Sequence, residues 1–213
     1  MRAVRLVLPL LSLVGLGWAA EFPDPALDVK PATGKQTAVL AGGCFWCVEA
    51  VFEIVDGVED VVSGYTGGTA ETAKYDIVST GRTGHAEAVL ITYDPTKTSF
   101  GQLLKIFFSV AHDPTTLNRQ GPDVGPQYRS AIFYTSAEQK AVAEAYIRQL
   151  NEAHVFRSPI VTQVVPFEKF YTAEAYHQDY AARNPMKPYI VHVSDPKVEK
   201  LKKLYPGCVR KRK

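Results

Sequence analysis

Residues 37–55 read TAVLAGGCFWCVEAVFEIV, and the fold turns on how this stretch is divided. Thr37 to Ala41 is a short apolar run, and Gly42 with Gly43 permits a tight turn, so a strand is expected to end there. From Phe45 onward, Phe45, Val48, Phe52 and Val55 recur at spacings of three and four, which is one face of a helix. Strand, glycine turn and helix therefore meet at Cys44, with Cys47 one helical turn further in. A thiol at such a turn faces the unpaired N–H groups and the positive end of the helix, which favour its ionised, nucleophilic form.

Working outward, VEDVVSGYTGG (58–68) and HAEAVLITYDP (85–95) read as strands, the first running into a glycine-rich loop and the second closed by Asp94-Pro95. Ser99 with Gln102 and Ser136 with Gln139 have the spacing of capping boxes, ahead of helices in FGQLLKIFFSVA (100–111) and AEQKAVAEAYIRQLNEAH (137–154). YRSAIFYT (128–135) and PIVTQVVPF (159–167) read as further strands, and TAEAYHQDYAARN (172–184) as a last helix stopped by Pro185. The order β-α-β-β-α-β-α-β-α predicts an α+β protein: a mainly antiparallel mixed sheet with helices packed on it, a ferredoxin-like sandwich. Two long, glycine-bearing connections, 64–84 and 112–127, are expected to form the active site.

At 213 residues, with 46% hydrophobic and 22% charged residues, the chain can bury a core of its own without a disulfide scaffold. MRAVRLVLPLLSLVGLGWAA has a basic start, an apolar run broken by Pro9, and the small residues Gly17 and Ala19. It reads as a cleaved signal peptide (1–19), with a periplasmic or secreted mature chain where disulfides persist. A Pro-rich linker (20–36), a catalytic domain (37–190) and a basic tail (191–213) follow. Loss of Arg2 and Arg5 leaves 22 basic against 22 acidic residues. Residues 195–213 hold eight Lys and Arg against Asp195 and Glu199, so the tail is +6 and the body −6. Such a tail reads as a solvated terminus, and no nucleic-acid partner is expected. Three cysteines, an odd number, argue against purely structural disulfides.

Four chemistries compete for Cys44 and Cys47. A zinc knuckle needs a second cysteine pair, and only Cys208 and scattered histidines remain. Haem attachment needs His after Cys47, where Val48 stands. A thioredoxin-like pair is at odds with the bulky Phe45 and Trp46 between the cysteines, and two buried cysteines could simply pack as small hydrophobes. A nucleophilic thiol beside an apolar pocket fits the flanking aromatics. It also finds an acid: Glu87 stands among apolar neighbours on a strand, where burial would raise its pKa and keep it protonated.

GGCFWCVEAVF, GYTGG, YDIVSTGRTGHAEAV and DVGPQYRSAIFY, followed by HQDYAARNP, closely resemble the motifs of the A-type peptide methionine sulfoxide reductases, in order from about residue 37 to residue 190. The resemblance implies that Cys44 attacks the sulfur of methionine-S-sulfoxide, in proteins or free, and is left as a sulfenic acid. Glu87 would donate the proton, Tyr75, Tyr128 and Asp123 would hold the sulfoxide oxygen, and Phe45 and Trp46 would hold the methyl group. Members of that family place the resolving thiol either in a C-terminal tail or in the GCFWC motif itself, so the resemblance allows Cys47 or Cys208; helical spacing, which keeps it near Cys44, favours Cys47 as the first resolving thiol and leaves Cys208 either a recycling thiol or incidental. No cofactor or metal is implied, the reductant is a thioredoxin-like dithiol, and the enzyme is expected as a monomer. His85 and Arg129 are left out of the catalytic set, Arg129 as the partner of a scaffold acid, and His112 and His177 are read as structural hydrogen-bonders at helix ends.

Overall fold

The computed structural model describes residues 22–30 and 33–211, so the signal peptide expected over 1–19 lies outside the described residues. The opening unit folds as its sequence divides. Strand β1 (Gln36–Gly42) ends at the glycines and helix α1 (Phe45–Glu53) follows directly. The chain continues through β2 (Val58–Thr66), a one-turn helix α2 (Tyr75–Val78), β3 (Ala86–Tyr93) and α3 (Phe100–Ile106). A short ribbon, β4 (Arg119–Gln120) with β5 (Asp123–Val124), precedes β6 (Ser130–Tyr134), α4 (Ala137–Glu152), β7 (Gln163–Pro166) and β8 (Phe170–Thr172). One turn of helix α5 (Tyr180–Arg183) and helix α6 (Asp195–Leu204) complete the chain.

Six strands form one mixed sheet in the order β7-β6-β1-β3-β2-β8, antiparallel throughout except for the β6–β7 edge. The inner strands β6-β1-β3-β2 come from a β-α-β-β-α-β run, so the ferredoxin-like expectation holds, with an edge strand added on either side. The larger core lies between the sheet and the helices: Leu40, Val89, Ile91 and Ile132 meet Val48, Phe52, Leu103, Phe107 and Tyr146. The opposite face carries a smaller cluster built on Val39, Ala41, Ala88 and Phe133. Side chains alternate along β3, so Glu87 shares the helix-covered face with Val89 and Ile91. That alternation puts a carboxylate under the start of α1.

Both N-caps form, but neither box closes. Ser99 Oγ accepts from Gln102 N and Ser136 Oγ from Gln139 N. The Gln102 amide reaches Asp24 instead, and the Gln139 amide bridges Thr135 and the Thr37 carbonyl. The stretch read as a linker contributes contacts: Asp24 pairs with Lys105 at 2.8 Å and Asp28 accepts from Gly101 N at 2.8 Å.

Two expectations need correction. The last helix read over 172–184 is a 3₁₀ turn (Ala175–His177) and then only the single turn α5, because Asp179 takes a left-handed backbone with φ 52°. The stretch read as a solvated tail is ordered. A π turn (Ile190–Ser194) leads into α6, whose Leu201 is fully buried against α1, and Val209 bridges to Val55. The signal was present in Asp195-Pro196, a proline at the first helical turn, and in Val198, Leu201 and Tyr205 at spacings of three and four.

Candidate active site

Gly43 sets the turn. Its φ is +92°, and a Cβ there would lie 2.5 Å from the Gln120 side chain, so a side chain is both strained and blocked. Cys44 follows as N-cap of α1, and its carbonyl accepts from Cys47 N at 3.1 Å and Val48 N at 3.4 Å. The first free N–H of α1, that of Phe45, points to the Glu87 carboxyl: Phe45 N donates to Oε2 at 3.1 Å. The positive helix end thus serves the carboxylate rather than the thiol, contrary to the expectation for Cys44.

Glu87 is buried. Burial pushes its pKa up to about 8, with Asp123 and Cys47 adding to the rise, and the Phe45 N–H only partly offsets it. It is therefore a protonated acid at neutral pH. Cys44 is buried too, and burial first, then the adjoining Cys47, holds its thiol well above the ordinary range. Cys47 is lowered to about 7, chiefly by hydrogen bonding with Cys44, against its own burial. All three cysteines are free.

A second layer arrives from the C-terminal segments. Tyr189 OH donates to Asp123 Oδ2 at 2.6 Å and accepts a weak bond from Cys47 Sγ at 3.9 Å, tying the β4–β5 ribbon to the cysteine pair. The Trp46 ring stacks on Tyr180 with centroids 3.8 Å apart, and its Nε1 donates to His177 Nδ1 at 3.1 Å. Phe45 is buried against Tyr65 and His177. Glu174 accepts from Tyr65 OH at 2.9 Å and from Tyr75 N at 3.0 Å, anchoring α2 to this segment. Tyr75 and Tyr128 are half-buried, and among the described residues neither hydroxyl has a protein partner. Burial raises both phenols, Tyr75 to about 12, and the charges of Glu87 and Cys44 raise them further; both rings pack against the core cluster that holds Cys44 and Phe45, Tyr75 with its ring 4.4 Å from that of His177.

The structure thus brings Cys44, Cys47, Phe45, Trp46, Glu87, Tyr75, Tyr128 and Asp123 to one place. It leaves Cys208 apart. The Cys208 carbonyl accepts from Asp56 N at 2.7 Å, and Arg210 binds the Ile54 and Val58 carbonyls, so the tail is strapped to the far end of α1. Cys208 therefore lies beside the C-terminal end of α1, whereas Cys44 and Cys47 stand at its start.

Sequence reasoning missed Tyr189, Tyr180 and Glu174 as site residues, whereas His177 is the structural hydrogen-bonder at a helix end that the sequence suggested, its partner being the Trp46 indole. They lie in turns without periodicity, and only the placement of one aromatic against another identifies them. His85 is buried with Nε2 bonded to the Thr69 carbonyl at 2.9 Å, and a Cβ on Gly68 would meet its ring at 2.5 Å, so it packs the loop. Arg129, expected to pair with an acid, instead donates to the carbonyls of Gly84, His85 and Pro126, pinning the two long loops together. His112 bonds the Phe107 carbonyl and Ser130, a structural role as expected, and burial lowers its pKa to about 3.

Comparison with known proteins places this geometry. The family model described as peptide methionine sulfoxide reductase matches residues 36–207. The peptide methionine sulfoxide reductase MsrA 2 of Mesorhizobium japonicum is 56% identical over 181 residues, covering 85% of this chain and 93% of its own. MsrA of Thermus thermophilus is 52% identical over 176 residues, 83% of this chain and 98% of its own. Among solved structures, reduced Mxr1 from Saccharomyces cerevisiae superposes with a TM-score of 0.66 at 33% identity, covering 78% of this chain and 94% of its own. Methionine sulfoxide reductase A of Corynebacterium diphtheriae gives 0.64 at 34% identity, covering 75% and 79%.

Proposed function

The chain belongs to the peptide methionine sulfoxide reductase family, and from that premise we propose that Cys44 is the nucleophile, Glu87 the acid and Cys47 the resolving thiol of its reaction. The enzyme reduces methionine sulfoxide to methionine. One observation carries the assignment: a buried, protonated carboxyl hydrogen-bonded to the N–H of the residue after a buried cysteine.

The sulfoxide oxygen lies between Glu87 and the free hydroxyls of Tyr75 and Tyr128. Glu87 gives it a proton, which makes the sulfur electrophilic, and Cys44 Sγ attacks that sulfur. The proton released by the Cys44 thiol restores the Glu87 acid. The S–O bond breaks as the hydroxyl passes to the Cys44 sulfur, the bond between Cys44 Sγ and the substrate sulfur breaks with its electron pair returning to the substrate, and methionine leaves with Cys44 as a sulfenic acid. Cys47, held in the same helical turn, displaces water from it to form the Cys44–Cys47 disulfide. Trp46, fixed by Tyr180 and His177, walls the methyl side of the pocket, and Phe45 supports it from the core. Asp123 holds Tyr189 beside Cys47.

An external dithiol of thioredoxin type then exchanges with the disulfide, and the redox equivalents are carried by cysteines alone. By its family resemblance the enzyme takes the S epimer. The segment over residues 1–19 supports an exported protein that meets its reductant outside the cytoplasm. Incubation with methionine sulfoxide tests the scheme: with dithiothreitol Cys44→Ser releases no methionine, and with a thioredoxin-type protein as the sole reductant Cys47→Ser releases about one per chain and stops. Continued cycling by Cys47→Ser together with arrest of Cys208→Ser would overturn the choice of resolving thiol.

A further inference from the structure

Strand β8 leaves the sheet while β2 still has backbone to pair. The ladder between them ends at Gly64 with Thr172, and Ala173 N adds one more bond, to the Ser63 carbonyl at 2.9 Å. The chain then turns away into the 3₁₀ turn Ala175–His177. Ser63 is fully buried, so its N–H would be left with neither a strand partner nor water. The Gln178 side chain fills the place. Its Oε1 accepts from Ser63 N at 2.9 Å, and its Nε2 donates to the carbonyls of Ser63 at 2.9 Å and Ala173 at 3.0 Å. One side-chain amide thus stands in for the next peptide group of the strand and closes the turn 173–178 on itself.

That turn carries the wall of the site. His177, next to Gln178 in the chain, accepts from Trp46 Nε1 at 3.1 Å. Tyr180, two residues after Gln178, lies flat on the Trp46 indole, with centroids 3.8 Å apart and planes 10° apart. Glu174, inside the closed turn, holds Tyr65 OH and Tyr75 N. Between Gln178 and Tyr180 stands Asp179 with φ 52°, a left-handed backbone that a non-glycine residue keeps only where its flanks are held. Gln178 holds one flank and the Tyr180 stack lies on the other. The Gln178 amide is spent on three backbone bonds, so it acts through its neighbours and not on the sulfoxide.

We propose that Gln178 is a positioning residue for substrate binding: by docking the turn 173–180 on β2 it holds His177 and Tyr180 against Trp46 and so fixes the indole as the wall of the methyl pocket. The proposal rests on the reading of Trp46 as that wall and adds what keeps it in place. Without the amide the turn loses its hold on the sheet edge, and the indole must be ordered by the arriving substrate. That cost falls on binding and leaves the chemical step as it was.

The test uses the full chain in a Trp18→Phe background, where Trp46 is the sole tryptophan. Gln178→Met keeps the length of the side chain and removes all three bonds, and Gln178→Glu keeps only the acceptor for Ser63 N. Methionine formation is followed in single turnover without reductant, over a range of methionine-S-sulfoxide concentrations. In both variants the half-saturating concentration is expected to rise about tenfold, with the limiting rate within about twofold of the parent. The Trp46 emission maximum is expected to move to longer wavelength. A half-saturating concentration or a Trp46 emission unchanged in both variants overturns the proposal. So does a limiting rate that falls in step with binding, or loss of the fold in both variants, which would make Gln178 a scaffold residue. Failure of the parent itself to form methionine would overturn instead the sulfoxide reduction on which the proposal rests.

Discussion

Cys44 and Glu87 share one helix terminus, and the division decides the acid chemistry. The Phe45 N–H goes to the carboxyl and the thiol stays buried beside it, so the site holds its proton until a sulfoxide oxygen arrives. Burial raises Glu87 to about 8, so the acid form is full at pH 7 and is lost as pH rises through that value. The single-turnover rate should therefore fall above about pH 8, and Glu87→Gln should be roughly 10²- to 10⁴-fold slower with that fall gone from its profile. His177 offers a second check. Its Nδ1 accepts from the Trp46 indole, which can only donate, so the histidine works as the neutral form, and burial lowers its pKa accordingly. His177→Ala should raise KM for sulfoxide more than His177→Asn, whose carbonyl can still accept. Equal KM values in the two variants would separate His177 from the pocket.

At the scale of elements, the turn between β1 and α1 and the docking of α6 hold the site. Gly43→Ala meets both a left-handed backbone and the Gln120 side chain, and should cost about 1–3 kcal/mol with a larger loss of activity than of fold. A chemical-denaturation curve beside a rate measurement separates the two. Leu201→Ala empties a buried position under α6 and should cost about 2–5 kcal/mol. The sequence revealed β1, α1, β3 and both capped helices because each has a period or a cap of its own. Glu87 was legible because a lone acid broke an apolar strand. The turns at 174–194 were not, since Asp179, the one-turn α5 and the π turn have no period to detect. Helix α6 was hidden by its many lysines, which keep its outer face solvated while Leu201 alone is fully buried on the inner one. Tyr189 and Tyr180 could be recognised as site residues only once Asp123 and Trp46 were found against them.

For the whole molecule, α1 links site and stability. Glu49, three residues after Trp46, is buried under α5, and burial lifts its pKa to about 7 from an ordinary 4.5. Between those values the folded chain keeps a proton that the unfolded chain has released, so this residue's contribution weakens as pH rises. The Tm of Glu49→Gln relative to wild type should therefore climb from about pH 5 to about pH 7. A difference independent of pH would mean that Glu49 does not hold that proton. The same helix carries the reacting pair at its start and the strap over Cys208 at its end, and this polarity is the centre of the account. Mass spectrometry of the reduced chain after one equivalent of methionine-S-sulfoxide, with thiols alkylated and the digest mapped, tests it most directly. The expected product is one methionine per chain, a Cys44–Cys47 bond and an alkylated Cys208. A first-formed bond that includes Cys208, or no bond at Cys44, would contradict it.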